Sequence, residues 1–85
     1  MASRSEVFAA IGLERDRQAA IWNRPHQWGE GDCSSDDVSP LVKSACLTEE
    51  CGEVARAVLE RDDEALATEL VQVAAIAVAW LEATT

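Results

Sequence analysis

Residues 48–60, TEECGEVARAVLE, decide the fold that this sequence predicts. Apolar residues recur there and in the flanking positions at intervals of three and four, the spacing of one face of an α-helix. Glu49 and Glu53 are one turn apart, and Glu50 lies about 100° around the helix axis from Glu49. The stretch therefore predicts a helix that carries three carboxylates on one side.

Such an acidic face has two interpretations. Like charges at neighbouring helical positions destabilise a helix, so the face is either solvated or occupied by a cation. Mg²⁺ takes oxygen ligands, and carboxylates are its usual protein ligands. Gly52 favours the cation, because a mid-helix glycine is unfavourable for the helix itself and leaves space beside the acids.

Signals on both sides of this stretch define two more helices. Ser39 followed by Pro40 marks the start of the central helix. Residues 70–81 are apolar on nearly every side, and such a helix must be surrounded. Three helices offer too little surface, so a second copy is expected to supply the rest. We predict one all-α domain, 1–85, with a three-helix protomer that forms a helical bundle core by oligomerisation, as a homodimer or a dimer of dimers. The expected elements are helices at about 4–22, 40–60 and 63–83 and a loop at 23–39, with no strand.

Composition restricts the class of partner. Sixteen Asp and Glu against seven Lys and Arg give a net charge of −9, so direct binding to DNA or RNA is not expected. The three cysteines are odd in number and form no CxxC pair, which indicates a reduced compartment. The apolar run at 70–81 is shorter than the roughly 20 residues of a membrane span, and no signal peptide is visible. We expect a soluble, cytoplasmic protein without a membrane contact.

Glu69 and Gln72 interrupt the apolar third helix one turn apart. A charge within a buried helix requires a partner or a metal. Counting outward from the turn at residues 61–63 places Glu53 and Glu69 at a similar height on antiparallel helices. Four carboxylates are therefore expected to meet between the two helices: Glu49, Glu50, Glu53 and Glu69.

This pair of motifs resembles a known family. Residues 49–53, EECGE, followed by residues 69–72, ELVQ, are similar to the EExxE and ExxD signature of the MazG-like all-α nucleoside triphosphate pyrophosphohydrolases of bacteria and phages. The flanks LTEECGEVARAVLE and ELVQVAAIAVAWLE, and the upstream ERDRQAAIW with a later Trp-Gly at 28–29, extend the resemblance over nearly the whole chain.

The resemblance implies hydrolysis of a nucleoside triphosphate to the monophosphate and pyrophosphate, in nucleotide housecleaning, with Mg²⁺ as cofactor and Mn²⁺ as the alternative. It makes Glu49, Glu50 and Glu53 candidate catalytic residues. The candidate metal ligands are Glu49, Glu50, Glu53, Glu69 and Gln72.

Gln72 departs from the family signature, which has Asp there. Glutamine offers a metal a neutral oxygen but cannot act as a general base. A second hypothesis is therefore a non-catalytic helical oligomer that binds a nucleotide or a protein and has lost turnover. A third is a structural helical module with a solvated acidic face.

Residues outside the acid motifs are candidates for substrate binding. Aromatic rings stack on bases, and a glutamine can recognise a base edge, whereas basic side chains suit phosphates. The alternative is that the two tryptophans pack on the core and the basic residues form surface ion pairs. His26 is expected at the surface. The substrate-binding candidates are Gln18, Trp22, Trp28, Lys43 and Arg56, with Arg15 and Arg17 as further phosphate partners.

Overall fold

The computed structural model describes residues 2–84 and confirms the all-α class. Its three helices are α1 (Arg4–Trp22), α2 (Pro40–Leu59) and α3 (Asp63–Thr84). Helix α3 packs against both other helices, whereas the Cα atoms of α1 and α2 stay more than 8 Å apart. Helix α3 is therefore central, and a groove separates the two outer helices.

Side-chain caps explain where the helices begin. Ser3 caps α1 in a capping box, because its hydroxyl accepts from the Glu6 amide and the Glu6 carboxylate accepts from the Ser3 amide, both at 3.1 Å. Ser39 caps α2, with Pro40 in the first helical position. The Asp62 carboxylate accepts from the amide of residue 65 at 3.0 Å at the start of α3.

The turn between α2 and α3 is tight. Arg61 adopts the left-handed conformation with φ 55°. The amide of Arg61 donates to the Val58 carbonyl at 3.1 Å, and the amide of Asp62 donates to the Ala57 carbonyl at 3.0 Å. These two bonds form a Schellman motif that ends α2 and reverses the chain. The reversal sets the acidic motif of α2 beside that of α3.

The long loop contains a small β-hairpin, so the expectation of no strand is wrong there. Strands β1 (Pro25–His26) and β2 (Gly29–Glu30) pair antiparallel. Two-residue strands are too short to show an alternating pattern in the sequence. Gly29 has φ +132°, and a Cβ there would lie 2.6 Å from the carbonyl oxygen of Asp37. Only glycine fits this position.

The core is small and lies along α3. Its buried apolar residues are Val38, Ala57, Ala75, Ile76 and Ala79. Several large apolar side chains remain exposed in the single chain, among them Leu70, Val78 and Leu81 on α3. A self-association interface on this surface stays a prediction.

Helix α3 is also long and apolar enough, by length and composition, to cross a membrane. Residues 70–81 are only the most apolar part of α3, which has 22 residues in all. Core helices of soluble proteins meet the same criterion, so the expected absence of a membrane contact stays a prediction.

A candidate active site in the groove between α1 and α2

A cavity of about 480 Å³ occupies the groove between α1 and α2. Its apolar floor includes Ile76 and Ala79 of α3. Its lining includes carboxylates and amides of all three helices, which we call the acidic end, and the aromatic residues that end α1 and form the hairpin, which we call the aromatic end. The volume falls in the range of small-molecule sites.

The acidic end centres on Glu50, Glu69 and Gln72. An amide oxygen of Gln72 would meet only acceptors in this place, so the nitrogen faces the carboxylates. It donates to Oε2 of Glu50 at 3.1 Å and to Oε2 of Glu69 at 2.8 Å. The carboxyl groups of Glu50 and Glu69 lie close together, and this contact favours the protonated form of Glu50. Two carboxyl groups form a hydrogen bond only when one of them is protonated.

The electrostatics of Glu50 agree with this geometry. Burial raises the pKa of Glu50 to about 7, and the hydrogen bond and charge of Glu69, with the charges of Glu49 and Glu53, act in the same direction. A carboxyl group that holds its proton near neutral pH is suited to proton transfer or to exchange of that proton for a cation.

The carboxylates have the chemistry of a hard-cation site, although they are not arranged around a cation. Within residues 2–84, no three side chains of the His, Cys, Asp and Glu types converge closely enough to hold an ion. Glu50 and Glu69 nevertheless present oxygen donors side by side, and Gln72 would add a third by rotating its amide. A divalent cation would replace the proton of Glu50, since ligands must be deprotonated to bind metal. The donor set therefore fits Mg²⁺ or Mn²⁺.

A charged pair forms the α1 wall near the acidic end. The guanidinium of Arg17 donates to both carboxylate oxygens of Glu14, at 2.7 and 2.8 Å. This bond lowers the pKa of Glu14. Arg17 also experiences the charge of Glu50 across the groove, so it is a cationic group near the acidic end of the cavity.

The aromatic end holds three neighbouring rings, two of which are stacked. The imidazole of His26 lies parallel to the Trp28 indole, with centroids 4.6 Å apart and 4° between the planes. The Trp22 ring is tilted by 36° against the imidazole, and its centroid is 5.6 Å away. The imidazole Nε2 is 2.9 Å from the Trp22 carbonyl oxygen. His26 is thus partly exposed and lines the cavity, a position at the surface of the groove.

An ion-pair network holds the loop against the helices. Arg15 Nη1 is 2.8 Å from Oδ2 of Asp32, and Arg15 Nη2 is 2.8 Å from Oε1 of Glu82 on α3. Burial opposes ionisation of Asp32, but bonds from Ser34 and the charge of Arg15 outweigh it and lower the pKa of Asp32. Arg15 is therefore committed to positioning the loop and is not free to bind phosphate.

Two cysteines line the middle of the cavity. Cys33 of the loop and Cys46 of α2 hydrogen-bond through their side chains. Burial raises the pKa of Cys33 to about 11, and the neighbouring Cys46 adds to this shift. Burial also raises the pKa of Cys46. Both are free thiols, and thiols with a raised pKa are poor nucleophiles. They serve to pack the loop against α2.

The cavity wall contains six of the ten main site residues predicted from the sequence, and also Arg17 of the two further phosphate candidates. The other four of the ten lie outside the cavity wall. Glu69 contacts Glu50 and Gln72 from behind it, and Glu53 acts on Glu50 through charge. Lys43 is buried, with 4% of its surface exposed, and Arg56 lies on the outside of α2 at 3.7–3.8 Å from Glu53 and Glu60. The six that line the cavity are Gln18, Trp22, Trp28, Glu49, Glu50 and Gln72.

Sequence reasoning missed part of the cavity lining. Glu14 is one turn before Gln18, which is one turn before Trp22, so the helical period could have placed all three on one face. Cys46 is one turn before Glu49 and Glu50 on α2, so the same period could have placed it beside them. The contributions of Asp32 and Cys33 depend on how the loop folds back, and no local pattern indicated this.

Comparison with known proteins identifies the family to which this site belongs. The family model for the MazG nucleotide pyrophosphohydrolase domain matches residues 39–81, about half of the chain. The matched region includes α2, the tight turn and most of α3, and hence Glu49, Glu50, Glu53, Glu69 and Gln72. No curated protein and no solved structure matches the chain significantly.

Proposed function

The chain belongs to the MazG nucleotide pyrophosphohydrolase family, and we propose that it hydrolyses nucleoside triphosphates to monophosphate and pyrophosphate with Mg²⁺ or Mn²⁺. One observation carries this proposal: a single cavity is lined both by carboxylates and by the rings of Trp22, His26 and Trp28. A nucleotide has the matching polarity, with an aromatic base at one end and anionic phosphates at the other.

The aromatic end suits the base. Trp22 and Trp28 offer ring faces on which a base can stack, and stacking is largely indifferent to base identity. His26 is fixed by its bond to the Trp22 carbonyl and orders the stack. This end would therefore anchor a nucleoside without strong selection among bases.

The acidic end suits phosphates only together with a cation, because the protein's net charge is −9. We assign Glu49, Glu50, Glu53 and Glu69 to holding that cation, with Gln72 as a neutral ligand. When bound, the cation neutralises the phosphates, stabilises charge in the transition state and activates water. Arg17, in the α1 wall, would add a positive charge for the phosphate chain.

Glu50 is assigned the proton-handling role. Its pKa of about 7 lets it release its proton near neutral pH, and it lies at the wall of the cavity rather than behind it. Glu69 and the Gln72 amide hold the Glu50 carboxylate in place from α3. Glu49 and Glu53, which are also on α2, would help to neutralise the charge of the cation.

The test of the proposal is pyrophosphate release from a panel of ribo- and deoxynucleoside triphosphates with Mg²⁺ and with Mn²⁺. We expect turnover, and a Glu50→Gln variant should lose at least about 100-fold in kcat because it removes a carboxylate that can hold the cation or take up a proton. Glu60→Gln is the matched control, since Glu60 is exposed at the C-terminal cap of the same helix. Circular dichroism of both variants would verify the fold.

The presence of Gln72 gives the competing function a specific basis, because its amide now bridges two carboxylates. The same panel separates the two functions. A nucleotide that raises Tm in the presence of Mg²⁺ without releasing pyrophosphate would contradict the proposed activity and support a non-catalytic binding protein. Absence of both effects would contradict both functions and favour a structural module.

A further inference from the structure

Gln18 lies between the two ends of the cavity. It is on α1, one turn before Trp22 of the aromatic end, and its side-chain nitrogen is 3.2 Å from the backbone oxygen of Gln72 at the acidic end. The residue is buried, with 8% of its surface exposed, and it lines the cavity. Gln18 is therefore a polar residue that is next to both the aromatic end and the acidic end of the cavity.

The orientation of the Gln18 amide is fixed by its partners. Its nitrogen donates to the Gln72 carbonyl oxygen at 3.2 Å, and the side chain also faces Glu14, whose pKa it lowers. A carbonyl oxygen and a carboxylate only accept, so the nitrogen and not the oxygen of the amide faces them. Glu14 is itself held by two bonds from Arg17.

The Gln18 carbonyl oxygen is then the unused part of the side chain. It has no hydrogen-bond partner among the residues that the structure describes. Within that same part of the chain, no buried side-chain oxygen or nitrogen lacks a partner, so this oxygen must be open to solvent. Because the residue is almost entirely buried elsewhere, the cavity is where the oxygen can meet a ligand.

We propose that the Gln18 carbonyl oxygen accepts a hydrogen bond from a sugar hydroxyl of the bound nucleotide. This inference rests on the proposed function: with the base at Trp22 and the phosphates near Glu50, the sugar spans the interval that Gln18 occupies. Of the sugar's polar groups, only the hydroxyls can donate, since the ring oxygen and the ester oxygens only accept. The orientation of Gln18 therefore selects substrates that carry a sugar hydroxyl.

The test compares kcat/KM for ribo-, 2′-deoxy- and 2′,3′-dideoxynucleoside triphosphates of one base. Removal of the recognised hydroxyl should lower kcat/KM of the natural protein about tenfold. A loss with the 2′-deoxy substrate identifies the 2′-hydroxyl, and a loss only with the 2′,3′-dideoxy substrate identifies the 3′-hydroxyl. Gln18→Met also breaks the bond to Gln72 and the contact with Glu14, which lowers all rates together. The ratio between sugars cancels that effect and should fall to about one in this variant.

Gln27→Met is the matched control, because Gln27 is exposed in the hairpin turn and should keep the ratio of the natural protein. An unchanged ratio in Gln18→Met would overturn the inference, as would a ratio that depends on the base instead of the sugar. If no triphosphate is hydrolysed, the proposed activity fails separately, and dissociation constants of the same nucleotides with Mg²⁺ are compared instead. Equal affinity for all three sugars, or no binding, would then overturn the inference.

Discussion

At the scale of single residues, the Glu50–Glu69 pair places two acidic side chains close together beside the cavity. Two carboxylates in contact keep their places only because a proton and the Gln72 amide lie between them. The folded chain therefore binds a proton at pH values where the unfolded chain has released it. This difference links the stability of the protein to pH.

The sign of the linkage follows from the direction of the shift. The pKa of Glu50 is raised from 4.5 to about 7 in the folded protein, so its favourable contribution is complete below pH 4.5 and is lost as the pH rises through 7. In metal-free buffer, we expect Tm to fall between pH 5 and pH 8. The carboxyls of Glu14 and Asp32, whose pKa values are lowered, are already ionised in that range.

Thermal melts of the natural protein and of Glu50→Gln in a chelator measure this effect. The variant should show the smaller fall in Tm over the same range, because its amide does not titrate. Equal slopes in the two proteins would show that Glu50 is not the group responsible.

The sequence predicted that acids of α2 and α3 meet, but not their protonation or the conformation of their side chains. Counting from the turn brought acids of α2 and α3 together, but with Glu53 opposite Glu69, whereas Glu50 is the residue that lies against Glu69. The protonation of Glu50 and the orientation of Gln72 depend on side-chain rotamers and burial. Helical periodicity specifies neither.

At the scale of elements, the loop at 23–39 owes its position to a few long-range contacts. Arg15 of α1 joins Asp32 of the loop to Glu82 of α3, and the side chains of Arg15 and Asp32 are only 13% and 9% exposed. Ser35 and Asp37 close the hairpin locally through bonds to the backbone of Glu30. The aromatic end of the cavity therefore depends on an ion pair between Asp32, which lines the cavity, and Arg15, which does not.

Loss of this ion pair should make the folded protein less stable. We expect Arg15→Gln to lower the free energy of unfolding by about 2 kcal/mol, because it leaves Asp32 with a poorly compensated charge. Arg56→Gln is the control: its contacts at 3.7–3.8 Å are exposed and should contribute less than about 0.5 kcal/mol. Urea denaturation measures both. Equal losses in the two variants would contradict a special role for Arg15.

The three helices could be predicted because their caps are local. Ser39-Pro40 and the acidic start of α3 need no tertiary information. The loop could not be predicted in the same way, since Arg15 and Asp32 are 17 positions apart and Arg15 and Glu82 are 67 apart. No sequence pattern specifies which of many acids an arginine will meet.

At the scale of the whole molecule, an apolar groove remains open on the side of α2 and α3. It is lined by Leu47, Ala77, Trp80 and Leu81 with Thr84, and has almost no polar surface. Leu81 is 62% exposed in the single chain. A surface of this kind on a small protein favours association, and we propose that a second copy covers it.

Light scattering after size exclusion should then give at least twice the mass of one chain. We expect Leu81→Glu to weaken the dimer at least about tenfold, because it places a charge at the centre of an apolar contact. Leu13→Glu is the control, since Leu13 is exposed on α1 outside this groove. A monomeric natural protein, or equal weakening by both variants, would contradict the proposed interface.

The separation of α1 and α2 affects how the two helices can move when a ligand binds between them. Both helices pack on α3, and their backbones do not approach each other, so α1 and α2 line the same cavity without supporting each other directly. The loop at 23–39 connects them, and the Arg15–Asp32 ion pair holds it to α1. A nucleotide lying across the groove would add a second connection between the two outer helices. Binding should therefore restrict their motion relative to each other, and cleavage into two shorter products would remove that restriction.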